Sequence, residues 1–207
     1  MNKLGAKEVL KMLLDGNQNF VNSTPQAENR CFQTVKALQN QQKPGAIVFC
    51  CSDSRVVPEI IFDCGLGALF VIRTAGNAIG PNILESIEYG VKHLEIPLLI
   101  ILGHQDCGVM KYALDADLYN DEFENLIYQV QTVKNEKNIT CFNDLAKAYT
   151  SVTKNRLLKK SSVIEKAVNN KKLEIVRTYF SFDTGLVEIL ECNSDEKQCN
   201  CCLDCLN

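Results

Sequence analysis

The chain has 207 residues, 46% of them hydrophobic and 23% charged, and a formal net charge of −3; it has room for one compact core, and nothing in its charge draws it generally to nucleic acid or to an anionic membrane. No apolar run reaches the ~18 residues a membrane span needs, and Lys3, Lys7, Glu8, Lys11 and Asp15 interrupt the start, so it reads neither as a signal peptide nor as a transit peptide. The eleven cysteines, in a long chain without a secretory signal, are expected as thiols in a reducing, cytoplasmic setting and not as a disulfide framework.

Taken in order, Ala6, Val9, Leu10, Leu13 and Leu14 share one face of an amphipathic helix, which opens an N-terminal helical arm over about residues 1–35. Strands are expected at Ala46–Cys50, Ala68–Ile72 and Leu98–Leu102. These runs lack strict polar alternation, as do strands buried on both faces. Between the second and third, Pro81 can open a helix at its first turn. Ile83, Leu84, Ile87, Val91 and Leu94 then recur at helical spacing, and Pro97 bars continuation. Helical patterns follow over about 108–137, broken near Asn120, and over about 143–170. Leu173–Tyr179 reads as a fourth strand, with a hairpin return over 181–190 through Asp183-Thr184-Gly185. The expected fold class is α/β: a mostly parallel central sheet with helices on both faces, one antiparallel edge strand and the N-terminal helical arm. Residues 1–190 read as a single domain. Residues 191–207 form a polar, Cys-rich tail without helix or strand periodicity, expected to be flexible.

Two short motifs carry the chemistry. Cys51-Ser52-Asp53-Ser54-Arg55 follows the first strand, and His104-Gln105-Asp106-Cys107 follows the third. Ligands of such sheets gather beyond the carboxyl ends of the strands, so both motifs fall at one place. Two thiolates and an imidazole are a zinc ligand set with one position to spare, the feature that separates catalytic from structural zinc. Asp53 either fills that position or acts beside it. Arg55, a rigid fork of donors, suits a carboxylate held bidentately off the metal. Blander readings stand beside these. Cys50, inside a strand, reads as a small buried hydrophobe. His93, four residues after Tyr89 on a helix face, reads as a surface or packing residue ahead of a proton relay. Asp53 and Arg55 can be an ordinary ion pair, and Asp106 a helix N-terminal residue.

The two motifs, continued to Val56 and flanked by Gly103 and Gly108, do not stand alone. With them come Leu14-Asp15-Gly16-Asn17-Gln18-Asn19-Phe20, Gln42-Lys43-Pro44, Val71-Ile72-Arg73-Thr74-Ala75-Gly76-Asn77, Ser86-Ile87-Glu88-Tyr89-Gly90 and the closing hairpin. Over about residues 6–190 the chain is similar to the β-class carbonic anhydrases. The resemblance implies a zinc-dependent lyase that hydrates CO2 reversibly to bicarbonate and a proton through a zinc-bound hydroxide. It implies one Zn2+ per chain on Cys51, His104 and Cys107, with water, or Asp53 in a closed state, as fourth ligand. It implies an Asp53–Arg55 dyad that opens the site, Gln42 bonded to bicarbonate, Phe70 and Tyr89 on the apolar side of the CO2 pocket, and Gly108 as a backbone donor near substrate. The implied partners are the small substrate and a second copy, in a homodimer or tetramer whose N-terminal helices reach over the neighbour; no nucleic acid and no membrane span are implied. The apolar face over Ala6–Leu14 fits that arm and fits an intramolecular cover almost equally.

Some positions depart from the family pattern. Val48 stands where some relatives carry the Trp of a second, inhibitory bicarbonate pocket, and the chain has no Trp; that pocket is expected to be absent or weak and the site to rest open. Ala75 stands where many relatives carry Val, and Arg73–Asn77 reads as a structural turn. Competing readings are a carbonyl sulfide or carbon disulfide hydrolase on the same scaffold, and a metal-binding or redox protein acting through Cys199-Asn200-Cys201-Cys202-Leu203-Asp204-Cys205. That run is dense enough to hold a soft metal, but metal storage has no use for an Asp–Arg pair. A dinucleotide-binding oxidoreductase fails for want of G-x-G-x-x-G after the first strand.

Overall fold

Ala46–Cys51 form strand β1, and its side chains show why the run is continuously apolar. Ala46, Val48 and Cys50 point into one core and Ile47 and Phe49 into another, the two-residue alternation of a strand covered on both faces. The computed structural model describes residues 4–116 and 123–191; the Cys-rich tail and the expected break near Asn120 lie outside them. In chain order the elements are α1 (Ala6–Val21), α2 (Phe32–Leu38), β1, α3 (Pro58–Ile61), β2 (Leu69–Thr74), a 3-10 turn at Ala75–Asn77, α4 (Pro81–Lys92), β3 (Leu98–His104), α5 (Gly108–Asp115), α6 (Glu124–Lys137), α7 (Phe142–Lys160), α8 (Ser162–Asn169), β4 (Glu174–Phe180) and β5 (Val187–Glu191).

The strands form one sheet in the order β2-β1-β3-β4-β5. β1 to β4 run parallel and β5 returns antiparallel to β4, as the sequence predicts. From β1 the chain moves to one side for β2, then crosses to the other side for β3. That reversal opens a crevice at the carboxyl ends of β1 and β3, where ligands of open α/β sheets bind.

Several boundaries differ from expectation. The second strand runs over Leu69–Thr74 and the third continues to His104. Cys51 and His104 are therefore the last residues of their strands and do not lie just past them. The helical pattern over 143–170 is two helices. Ser161 stands between them with extended φ of −125°, and its Oγ accepts from the Ile164 N–H at 3.1 Å and donates to Glu88 at 2.5 Å. A serine that caps one helix and bonds a neighbouring one overrides the periodicity. The short helices α2 and α3 carry too few residues for a periodic signal.

Val9, Leu10 and Leu13 of α1 are buried in the core of their own chain, so the apolar face of this helix is an intramolecular cover. Buried Asn17 ties α1 to the rest: its Nδ2 donates to the carbonyls of Ile61 and Gly185, and its Oδ1 accepts from the Val187 N–H. Asp63 then fixes the chain beyond α1, accepting from the N–H groups of Gln26 and Ala27 and from Asn19 and Arg30. α2 buries none of its residues, and its Phe32, Val35 and Leu38 are exposed. No described helix is long and apolar enough to cross a membrane.

A Cβ at Gly16 would collide with the backbone carbonyl of Phe62 at the end of α3. Gly16→Ala is predicted to cost about 1–3 kcal/mol and to lower Tm by roughly 2–10 °C in calorimetry; an unchanged Tm would mean that α1 does not sit this closely on α3.

Candidate metal centre

The ladder between β1 and β3 ends at the pair Cys50–Leu102. One residue further, Cys51 turns into the crevice; two further on β3, His104 does the same, and Cys107 follows as the residue capping α5. The ligand atoms of Cys51, His104 and Cys107 all lie within 4.8 Å of one another, and all three residues are buried.

Hydrogen bonds prepare the three for a cation. His104 Nδ1 lies 2.8 Å from the Gln105 carbonyl oxygen. A carbonyl only accepts, so Nδ1 carries the proton and the Nε2 lone pair is free. Among the described residues the buried Nε2 has no hydrogen-bond partner, a costly state for a polar atom unless something else binds it. Cys51 Sγ accepts from the Gly76 N–H at 3.3 Å. The Cys51 thiol is pushed down because Cys107 hydrogen-bonds to it, with the N–H groups of Gly76 and Asp53 adding to this against the effect of burial. The Cys107 thiol is pushed up by that same hydrogen bond and by burial. A second thiolate beside the first is resisted by burial and by the charge of the first, and a divalent cation between them would reverse that balance. The donor set fits a metal ion.

Asp53 stands beside this group and outside it. Arg55 Nε donates to Asp53 Oδ1 at 3.0 Å and Nη2 to Oδ2 at 2.8 Å, while the Arg55 backbone N–H reaches Oδ1 at 2.9 Å. These bonds, the Arg55 side chain first among them, hold the Asp53 carboxyl down to about 2. Gly108 opens α5 directly after Cys107, with nothing within 4 Å of where a Cβ would stand. His93 is exposed, its ring 5.3 Å from that of Tyr89. Cys50 is fully buried, which pushes its thiol up to about 12.

The other three sequence candidates are elsewhere. Phe70 pairs with Ile47, whereas Thr74 pairs with Cys51; Phe70 is thus four residues, about 13 Å, short of the metal end of the sheet. Tyr89 packs on Phe70, ring centroids 6.3 Å apart. Gln42 precedes β1, where the chain enters beside Ala68 through the Gly45 N–H. Within one chain they do not meet Cys51.

Residues read only as a structural turn prove to hold the ligands. Arg73 Nε donates to the Cys51 carbonyl at 3.1 Å and Nη2 to the Asp53 carbonyl at 2.7 Å. Asn77 is buried, and its Nδ2 donates to the carbonyls of Leu102 at 3.1 Å and Phe49 at 3.4 Å, joining β3 to β1 at the crevice. The sequence signal was present: an arginine ending the apolar run Leu69-Phe70-Val71-Ile72, and a Gly-Asn pair, both at positive φ, where a turn must be sharp.

Comparison with known proteins agrees with this arrangement. The family described as carbonic anhydrase matches residues 46–187. Carbonic anhydrase 2 of Mycobacterium tuberculosis is 35% identical over 182 residues, covering 84% of this chain and 88% of that protein. The Coccomyxa β-carbonic anhydrase, solved in complex with acetazolamide, matches with a TM-score of 0.71 at 22% identity, over 93% of this chain and 91% of that one. One of two tetrameric β-carbonic anhydrases from Sordaria macrospora matches at 0.66 and 24%, over 76% and 85%. At those identities the two structures speak to the fold.

Arg73→Lys removes a planar fork that a single ammonium cannot replace. It is predicted to weaken the affinity for zinc, used as a probe in chelator competition, by about 10–100-fold; unchanged affinity would show that Arg73 does not set the ligand loop.

Proposed function

The chain belongs to the β-class carbonic anhydrases, lyases that interconvert carbon dioxide and bicarbonate, and we propose that it does so at Cys51, His104 and Cys107 with one Zn2+ per chain. The observation that carries this reading is the buried, unpartnered Nε2 of His104 facing two thiols, beside a carboxylate whose two oxygens are both taken by Arg55. Zinc bound there supplies a Lewis acid that brings the pKa of a water to about 7.

The chain's own residues do the rest. Asp53, held ionised by Arg55, is an acceptor at neutral pH and cannot donate; its role is to take the hydrogen bond of the attacking water and orient it toward the carbon of CO2. Arg55 keeps that carboxylate turned away from the three ligands, so that it does not compete with substrate water. Gly108, the first residue of α5, has an N–H with no partner within the helix and serves as a donor to the bicarbonate product.

Gln42, Phe70 and Tyr89 are assigned to the substrate pocket of a neighbouring copy. Support comes from their distance from Cys51 along β1 and β2, from the 46% exposure of Tyr89, and from the unburied apolar side chains of α2, which suit a contact with a second chain. The tetrameric Sordaria macrospora proteins are in keeping with a homo-oligomer. The pair is the smallest assembly that closes the site, so a homodimer is proposed.

Asp53→Ala is predicted to retain zinc and to lose CO2 hydration by about 10²-fold or more in stopped flow; wild-type rates in a zinc-loaded variant would refute the role of Asp53. The two-chain site has its own test. Refolded together, Cys107→Ala and Gln42→Ala chains are predicted to recover hydration that neither has alone, because one supplies the metal ligands and the other the amide. No recovery in a confirmed mixed dimer would put Gln42 in the site of its own chain.

A further inference from the structure

Phe182, in the turn between β4 and β5, touches both halves of the site. Its ring centroid is 5.5 Å from that of the His104 imidazole, at 36°, and the Arg55 guanidinium carbon lies over the ring at 4.3 Å. The turn is fixed to the loop that carries the ligands. Gln105 Oε1 accepts from the N–H of Phe182 at 2.8 Å, the N–H of Asp183 at 3.2 Å and the Ser181 hydroxyl at 3.1 Å, while its Nε2 donates to the Asp183 carboxylate at 2.8 Å. Phe180 packs edge-on against the Phe182 ring, 5.6 Å away at 78°.

Arg55 has need of such a support. Its side chain is 53% exposed, and solvent and side-chain entropy leave an exposed ion pair loosely held. The task given to it above requires both Asp53 oxygens to stay on the guanidinium. The edge of that plane is committed, with Nε and Nη2 on Asp53 and Nη2 also 3.3 Å from the Asp106 carbonyl. The face remains for an aromatic ring, and a stacked guanidinium keeps its plane.

We propose that Phe182 is a positioning residue for the hydration reaction: its ring, pinned by Gln105, holds Arg55 in the plane that keeps Asp53 turned away from the metal ligands. The proposal rests on the reading of the Asp53–Arg55 pair given above. Without the ring the pair opens more often, and a freed carboxylate next to two thiolates and an imidazole is itself a fourth ligand. A stack of this kind shifts the ratio of closed to open pairs about two- to fivefold.

The test compares the parent chain with Phe182→Leu, which keeps an apolar side chain without a ring, and with Phe182→Tyr, which keeps the ring. Phe182→Met is a second ringless variant, read in parallel in case the first does not fold. The side-chain Nε–Hε signal of Arg55 is followed by NMR in 15N-arginine-labelled protein, assigned by its loss in Arg55→Lys. In the metal-free protein the ringless variants are expected to move this signal out of its ring-current position and to speed its exchange with water about two- to fivefold, while Phe182→Tyr does neither. In the zinc-loaded protein the ringless variants are expected to lose CO2 hydration by a similar factor at unchanged zinc content, and Phe182→Tyr to restore it. An Arg55 signal that stays in place without the ring overturns the proposal whatever the rate does, and so does a displaced signal with an undiminished rate. Full hydration by Asp53→Ala would instead remove the reading beneath it. The two failures are distinct, because the Arg55 signal does not depend on activity.

Discussion

Two thiols and an imidazole buried side by side are costly to hold together unless a cation joins them, and much of the structure around β1 and β3 follows from that. The sheet offers the place: after β1 the chain adds β2 on one side and β3 on the other, so the connections leave β1 and β3 in opposite directions and a crevice opens at their carboxyl ends. Backbone donors and side chains then fix the ligands. The Gly76 N–H reaches Cys51, the Gln105 carbonyl sets the tautomer of His104, and Arg73 and Asn77 hold the carbonyls behind them. Groups that orient metal ligands in this way set metal affinity almost as much as the ligands themselves. The Asp53–Arg55 pair adds what a storage site would not need, a carboxylate beside the Cys–His–Cys group with both oxygens bonded to an arginine.

The same sheet divides the candidate site residues into two groups at its opposite ends. The ligands, Asp53, Arg55 and Gly108 gather at the carboxyl ends of β1 and β3. Gln42, Phe70 and Tyr89 belong to the entry side of β1 and β2. A strand of six residues is a rigid spacer of nearly 20 Å, so no side-chain motion joins the groups within one chain. The proposed symmetric pair, in which each chain would lend its entry side to the crevice of the other, removes the separation, since a two-fold contact uses the same surface twice. α2, with its exposed apolar side chains, then has a surface to cover.

The architecture was legible because its strands are continuous apolar runs ended by turns, and because both chemical motifs sit at strand ends. Cys51, His104 and Cys107 follow from residue type and spacing alone. The arm was harder. The apolar stripe of α1 has the same appearance whether it covers its own sheet or a neighbour's, and only the burial of Val9, Leu10 and Leu13 decides. Ser161 broke a helical pattern that periodicity carries straight through, because its hydroxyl serves a cap and a distant glutamate at once. Arg73, Gln105 and Phe182 escaped for a different reason. Each touches a backbone carbonyl, a turn or a guanidinium that is remote in sequence, so that even where a local signal marks the residue, as the arginine ending an apolar run does for Arg73, no local pattern records its partner.

The central claim is that the buried Cys–His–Cys group, once loaded with metal, makes this chain a catalyst of CO2 hydration. It is tested most directly by stopped-flow hydration on metal-free chain titrated with zinc. The account predicts a rate well above the buffer reaction that rises linearly with zinc and levels off at one zinc per chain. A chain carrying one zinc on Cys51, His104 and Cys107 that hydrates CO2 no faster than buffer would contradict it.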